Sequence, residues 1–233
     1  MARPSRRHGS RSVRHYCGKI GVVNTESTPD AAVPSLVSPK RRPKPGERRT
    51  QILQVLAGML EQPGADRITT AALAAKLDVS EAALYRHFAS KAQMFEALID
   101  FIESSVFGMV NQIVDTPHPL PPPGAAARIA SVILQFGEKN PGMARVMVGD
   151  ALVYENERLT ARINQFFDRI ESSLRQVLRT AAEAQGSITP TVQANAQASV
   201  WVSFIIGRLQ RYARSGFKRL PTEQLDASLK SIG

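Results

Sequence analysis

Between Ile68 and Lys91 two short apolar patterns of helical period stand back to back, with only Asp78-Val79 between them, and few folds accept that spacing. Leu73, Ala74 and Leu77 fall three and four apart and predict the inner face of a first short helix, opened by the hydroxyls of Thr69 and Thr70. Asp78 stands at the turn, where the backbone is expected at positive φ, a conformation aspartate tolerates better than most residues. Val79 plugs the angle, Ser80 caps a second helix expected over 80–88, and Glu81 suits the positive end of its dipole. Ala83, Leu84 and Phe88 turn inward, which leaves Glu81, Ala82, Tyr85, Arg86 and His87 outside or on the edge.

Two short helices at an angle, the second with a polar outer side, are the design that lays a helix in a DNA major groove. Ala82 is small enough to approach a base or a thymine methyl, Tyr85 and His87 carry donors for phosphate oxygens, and Arg86 adds charge. Ser90-Lys91 opens the next helix, whose free N–H groups together with the lysine form a phosphate clamp. The expected DNA-contacting set is therefore Thr69, Thr70, Ser80, Ala82, Tyr85, Arg86, His87 and Lys91. The plainer alternative is a helical hairpin with a solvated face.

Charge adds less than it first suggests. The chain of 233 residues carries a net charge of +10, but residues 1–44 hold ten Lys/Arg against Glu26 and Asp30, and so eight of those ten charges. The remainder is close to neutral, so the basic pI of 10.2 says little about the folded part. Residues 1–44 mix Arg, Ser, Pro and Gly without apolar periodicity and are expected to be disordered. Lys40-Arg41-Arg42-Pro43-Lys44 reads as an arm that reaches phosphates, as a solvated linker, or as part of a start set upstream of the true one. No apolar run nears the ~20 residues that span a bilayer, which predicts a soluble chain. The lone Cys17 suits a reducing cytosol.

From Gly46 on, the period is helical throughout, which predicts an all-α fold. Ile52, Val55, Leu56, Met59 and Leu60 stripe a first helix, and Phe95, Leu98, Ile102, Val106, Met109 and Ile113 a long one that joins head to body. Pro117 to Gly124 breaks the chain, and a helix over 125–138 ends at Asn140-Pro141-Gly142. A short helix precedes a long one striped by Leu159, Ile163, Phe167, Ile170, Leu174 and Val177. Thr189-Pro190 restarts a helix to Arg214, with Thr189 as its cap. That helix carries Val200, Trp201, Phe204, Ile205 and Leu209, enough apolar surface to serve both a core and a partner subunit, and these five are the expected dimer interface. The implied organisation is a tail at 1–44, a DNA-binding head at 45–92 and a helical dimerisation and partner-binding body at 93–233.

No catalytic constellation is present. His8, His15, His87 and His118 lack metal-ligand spacing, and there is neither a Gly-rich phosphate loop nor a Ser/His/Asp set. The chain reads as a non-enzyme without metal or cofactor.

Ser80-Glu81-Ala82-Ala83-Leu84-Tyr85-Arg86-His87-Phe88 followed by Ser90-Lys91 resembles the DNA-binding domain of TetR-family regulators, which commonly carry glycine where Asp78 stands and a proline or small residue at Ala89. Phe136 to Gly142, Arg162-Ile163-Asn164-Gln165 and Arg214-Ser215-Gly216-Phe217-Lys218 narrow the likeness to the nucleoid occlusion branch of that family, from about Arg48 to the end. The resemblance implies a TetR-like homodimer through the C-terminal helices, its two recognition helices about 34–36 Å apart on a palindromic duplex. It also implies capture of the C-terminal tail of the tubulin-like division protein FtsZ, in a groove between the long helix and the helix ahead of Asn140. Phe101, Val132, Lys139 and Asn140 occupy the matching places. Met109 stands where an arginine is expected, Gln135 where a glycine is, and Lys139 replaces arginine; Gln135 is expected to narrow the groove. On the DNA side Thr69, Tyr85, His87 and Lys91 match, whereas Ala72 replaces a lysine and removes one phosphate contact. The implied protein is a nucleoid-associated cytoplasmic division inhibitor. The alternatives are a TetR-type repressor released by a small ligand, and a helical adaptor whose DNA binding is vestigial.

Overall fold

The computed structural model describes residues 46–62, 68–115 and 124–232. The tail at 1–44 and the proline-rich segment from Pro117 to Pro123 lie outside the described residues. Within them the chain is helical and contains no strand, in agreement with the expected all-α class. The helices are α1 Glu47–Leu60, α2 Thr70–Lys76, α3 Glu81–Tyr85, α4 Lys91–Val114, α5 Ala125–Lys139, α6 Pro141–Met147, α7 Glu157–Ala184, α8 Pro190–Arg214 and α9 Leu225–Ile232, with one 3-10 turn at Asp150–Leu152.

α4 is the spine. Met94, Phe95, Leu98, Ile99, Ile102, Val106, Phe107, Val110 and Ile113 are all buried, and the helix packs against α1, α5, α6 and α7. Among the described residues it alone is long and apolar enough to cross a membrane by length and mean hydropathy. One side of it is taken instead by its neighbours, while Phe101 stays exposed, and Lys91, Glu96, Asp100 and Glu103 interrupt any uniform apolar run. Phe107 meets Phe166 edge to face at 5.6 Å, Phe166 meets Phe167 at 5.1 Å, and the Arg169 guanidinium lies 3.9 Å over the Phe107 ring. This cluster locks α7 to the middle of α4.

α7 and α8 pair along their length. Leu159, Ile163, Phe167, Ile170, Leu174 and Val177 are buried as their spacing requires. Pro190 takes the first turn of α8 as expected, but Thr189 makes no side-chain cap; a proline there already removes one unpaired N–H. Beyond α8 the chain folds back in a strap that no sequence signal announced. Phe217, at φ 63, stacks edge to face on Tyr212, the Tyr212 hydroxyl donates to the Glu138 carbonyl at 3.1 Å, and the Thr222 hydroxyl bonds the Glu138 carboxylate. Arg208 donates to the Glu223 carbonyl at 2.8 Å and to the Ser228 hydroxyl at 2.6 Å, which seats Leu225 and Leu229 of α9. Burial, with the charges of Glu138 and Glu61, pushes the Tyr212 phenol up, so it stays a protonated donor at neutral pH.

α1 and α6 approach each other closely at a glycine. A Cβ on Gly142 would stand 2.2 Å from the Ala57 carbonyl oxygen and 3.2 Å from the Leu60 Cβ. Backbone cannot yield there, so only glycine lets α6 seat α1, and the Arg145 guanidinium adds a bond to the Leu60 carbonyl. Gly108, by contrast, sits mid-α4 with nothing near its missing side chain. Gly142→Ala is expected to destabilise the protein by about 1–3 kcal/mol through overpacking, and Gly108→Ala to stabilise it by roughly 0.5–1 kcal/mol through helix propensity. Chemical denaturation of both variants beside the parent checks the opposite signs.

Candidate nucleic-acid interface

The head is assembled by caps. The Thr69 hydroxyl accepts from the Ala72 N–H at 3.1 Å and fixes the start of α2. At its end, Val79 N–H bonds the Ala74 carbonyl at 3.1 Å and Asp78 N–H the Ala75 carbonyl at 3.2 Å, with Asp78 at φ 55. That paired closure around a left-handed residue turns the chain sharply, as expected of Asp78. Ser80 then caps α3 by accepting from Ala83 N–H at 3.3 Å. Leu73, Ala74, Leu77, Leu84 and Phe88 are buried, as their spacing requires.

Several expected contacts are placed differently. α3 covers only Glu81–Tyr85, and Arg86-His87 form a turn, so the recognition helix is shorter than the stretch 80–88. The Thr70 hydroxyl donates to the Glu81 carboxylate at 2.6 Å; it ties α2 to α3 rather than reaching outward. Ala82, Tyr85 (45% exposed) and Arg86 do present an open edge, while His87 is half-buried. Ser90 accepts from Gln93 N–H at 3.2 Å and Gln93 returns a bond from Ala89 N–H at 2.9 Å, a reciprocal cap at the start of α4. Lys91 is not free: its ammonium is paired with Glu155 and lies 5.7 Å over the Phe95 ring.

Arg49 is a positioning residue that the sequence did not disclose. Its guanidinium donates to the His87 carbonyl at 2.6 Å and stacks 4.2 Å over the buried Phe88 ring, so α1 holds the end of the recognition segment. In sequence it stands among Glu47, Arg48 and Thr50 and reads as a solvated helix face; the partner is 38 residues away.

On the body, a groove of about 270 Å³ runs between α4 and α5, lined by Met109, Gln112, Ile113, Arg128, Ser131 and Val132. Val132 forms part of it, and Phe101 is 48% exposed further along α4 without lining it. Gln135 does not narrow this groove; it borders a separate depression with Thr222, Gln224 and Leu225, because the strap covers that side of α5. Asn140 donates its amide to the Phe136 carbonyl at 2.8 Å and closes α5, and Lys139 is exposed. Arg128 is the cation on the groove wall where Met109 offers none.

The expected dimer set needs correction. Trp201, Ile205 and Leu209 are buried within a single chain, Trp201 at 2% exposed and the other two at 0%, and they have no surface left for a partner. Leu209 closes on Gly137, whose added Cβ would stand 2.4 Å from it. The outward line of α8 is instead Val192, Ala196, Val200, Ser203 and Gly207, with Phe204 half-buried beside it.

Capped paired helices on α1 and α4, joined to a long α7–α8 hairpin, define a helix-turn-helix regulator. Residues 52–98 match the family model described as bacterial regulatory proteins, tetR family, and residues 126–232 the SlmA-like model described as tetracyclin repressor-like, C-terminal domain. The chain is 49% identical over 184 residues to the nucleoid occlusion factor SlmA of Photobacterium profundum, covering 78% of this chain and 92% of that protein. It is 49% identical over 180 residues to the nucleoid occlusion factor SlmA of Vibrio cholerae, covering 77% and 90%. In fold it is similar to the TetR family transcriptional regulator PfmR of Thermus thermophilus, with TM-score 0.61 and 21% identity over 78% of this chain and 96% of that one. The MbdR regulator of Azoarcus shares the fold at TM-score 0.64 and 14% identity, over 79% and 96%. The chain belongs to the SlmA family of nucleoid occlusion factors, within the TetR family.

Arg49→Ala removes both a hydrogen bond and a stacked cation from the recognition turn. It is expected to cost about 1 kcal/mol and to speed hydrogen exchange at His87 and Phe88 amides more than at α7. Arg49→Lys is expected to rescue only part of this, since a lysine cannot stack as a plane.

Proposed function

We propose that this chain is a sequence-specific DNA-binding nucleoid occlusion factor: on palindromic chromosomal sites it captures the FtsZ C-terminal tail and restrains Z-ring assembly over the nucleoid. It acts by binding rather than by catalysis, in the cytoplasm and on the nucleoid. The observation that carries this is the extent of the likeness: near-half identity to SlmA proteins over 78% of this chain, with family models that match both the capped head and the helical body. In this reading residues 45–92 are the head and 93–233 the body. Ala82, Tyr85 and Arg86 meet the groove of the duplex, with the cap region of Thr69 and Ser80, His87 and the start of α4 at Lys91 turned to its phosphates. Thr70 acts one step back, through Glu81.

The FtsZ tail lies along α4 and α5, with Val132 as apolar floor, Phe101 as an outer anchor, and Lys139 and Asn140 at the far end. Homodimerisation uses the outward line of α8, where Ser203 and Gly207 permit close approach and Val200, 54% exposed, supplies apolar area. Two heads then face one side of a duplex.

One feature favours the ligand-responsive alternative. A cavity of about 430 Å³ lies among the start of α5, α7, α8 and α9, lined by Ala126, Val177, Leu178, Trp201 and Leu229, and the Trp201 indole N–H meets no acceptor. This size and lining suit a small amphipathic molecule.

A labelled FtsZ tail peptide is expected to bind more tightly when a palindromic duplex, recovered by genome-wide mapping of bound sites, is present. Val132→Asp is expected to reduce that binding by tenfold or more with DNA affinity unchanged. No peptide binding with or without duplex, together with bound sites confined to one promoter, would hand the case to the ligand-responsive repressor. Val200→Asp is expected to give monomers in sedimentation and to lose palindromic DNA.

A further inference from the structure

Lys91 and Glu155 are 64 residues apart, yet their ammonium and carboxylate form a direct ion pair with the side chains only 23% and 10% exposed. Glu155 stands in the turn between the 3-10 segment and α7. It is the first rung of a ladder that zips the start of α7 to α4: Arg158 pairs with Glu96 at 2.8 Å, and Arg162 with Asp100 and Glu103 at 2.9 Å each. The later rungs lie further along α4, at Glu96, Asp100 and Glu103. The first joins the one cation that also begins α4, next to the caps of the head.

We propose that Glu155 is an intramolecular competitor of DNA for Lys91. A lysine ammonium is a point charge that cannot serve a shielded carboxylate and a phosphate oxygen equally at once. In the free protein the carboxylate holds it and cancels the positive end of α4. On a duplex the phosphate displaces the carboxylate, and Glu155, little exposed, must move toward water or find another cation. The 150–156 segment therefore changes its ties when DNA binds. By reciprocity, anything that draws this segment away from Lys91 strengthens DNA binding to the same degree. Val153 and Tyr154, both 69% exposed beside Glu155, move with it.

This rests on the reading that the start of α4 faces phosphate, and the experiment separates the two. The full-length protein, Glu155→Gln, Lys91→Gln and the double variant are titrated with a mixed-sequence duplex of about 30 base pairs by fluorescence anisotropy across salt. Such a probe reads phosphate contacts without requiring the operator. Glu155→Gln is expected to bind about fivefold more tightly at low salt with the slope of log K against log salt nearly unchanged, because the same phosphates are neutralised in both complexes. Lys91→Gln is expected to weaken binding, and adding Glu155→Gln to it is expected to change nothing further, since the glutamate acts through the lysine. Unchanged or weaker binding by Glu155→Gln overturns the proposal, as does a gain that persists without Lys91. If Glu155→Gln melts early, Glu155→Ala with the melting curve recorded beside it is read against the same two outcomes. Failure of the parent itself to bind duplex strikes the DNA-binding reading, and the competitor with it.

Discussion

The burial of α4 on several sides at once is the constraint on which the other elements depend. A helix of 24 residues spans about 36 Å. Its first turn belongs to the capped head, and its last turns line the groove against α5. Because Met94, Ile99, Ile102, Val106 and Val110 are buried without remainder, the helix cannot roll or slide without breaking packing on α1, α5 or α7. A displacement at one end is therefore transmitted as a displacement at the other. Gly142 adds a second joint, where α6 meets the backbone of α1 with no side chain between them.

Electrostatics refine that mechanical frame. Ion pairs on the surface contribute little individually, and the α4–α7 ladder matters more for where it holds the two helices than for stability. Arg162 illustrates the balance: burial acts to lower its pKa, but the bonds and charges of Asp100 and Glu103 outweigh that and raise it, so the guanidinium stays charged. Lys91 and Glu155 differ from these because, in the competition proposed above, the lysine has a second claimant in phosphate. An ion pair placed at a binding surface turns the strength of that pair into a threshold for the ligand.

The helical class, the turn at Asp78, the inner faces of α2, α3, α4 and α7, and the restart at Pro190 were all legible, since each follows from spacing and capping within a few residues. The corrections share one cause. Trp201, Ile205 and Leu209 were read as interface because a helix that is apolar on two sides does not say which side its own chain will cover. Thr70 was read as reaching outward because its carboxylate partner stands 11 residues on, across a turn. The C-terminal strap and α9 went unread because Arg208, Glu223 and Ser228 signal nothing until a neighbouring element brings them together.

Sequence alone therefore determined the helical class, the inner faces of the main helices, the capped turn and the kinship with nucleoid occlusion factors, because those depend on local backbone energetics and on residue identity. Only the tertiary structure decided which polar groups are committed. Arg49 to His87, Lys91 to Glu155 and Asn140 to Phe136 spend donors that looked available, and Val192, Val200 and Gly207, not Trp201, face outward on α8. The physical reason is that a side chain's partner is chosen by proximity in space, and the closing of loops of tens of residues leaves no local mark in the chain.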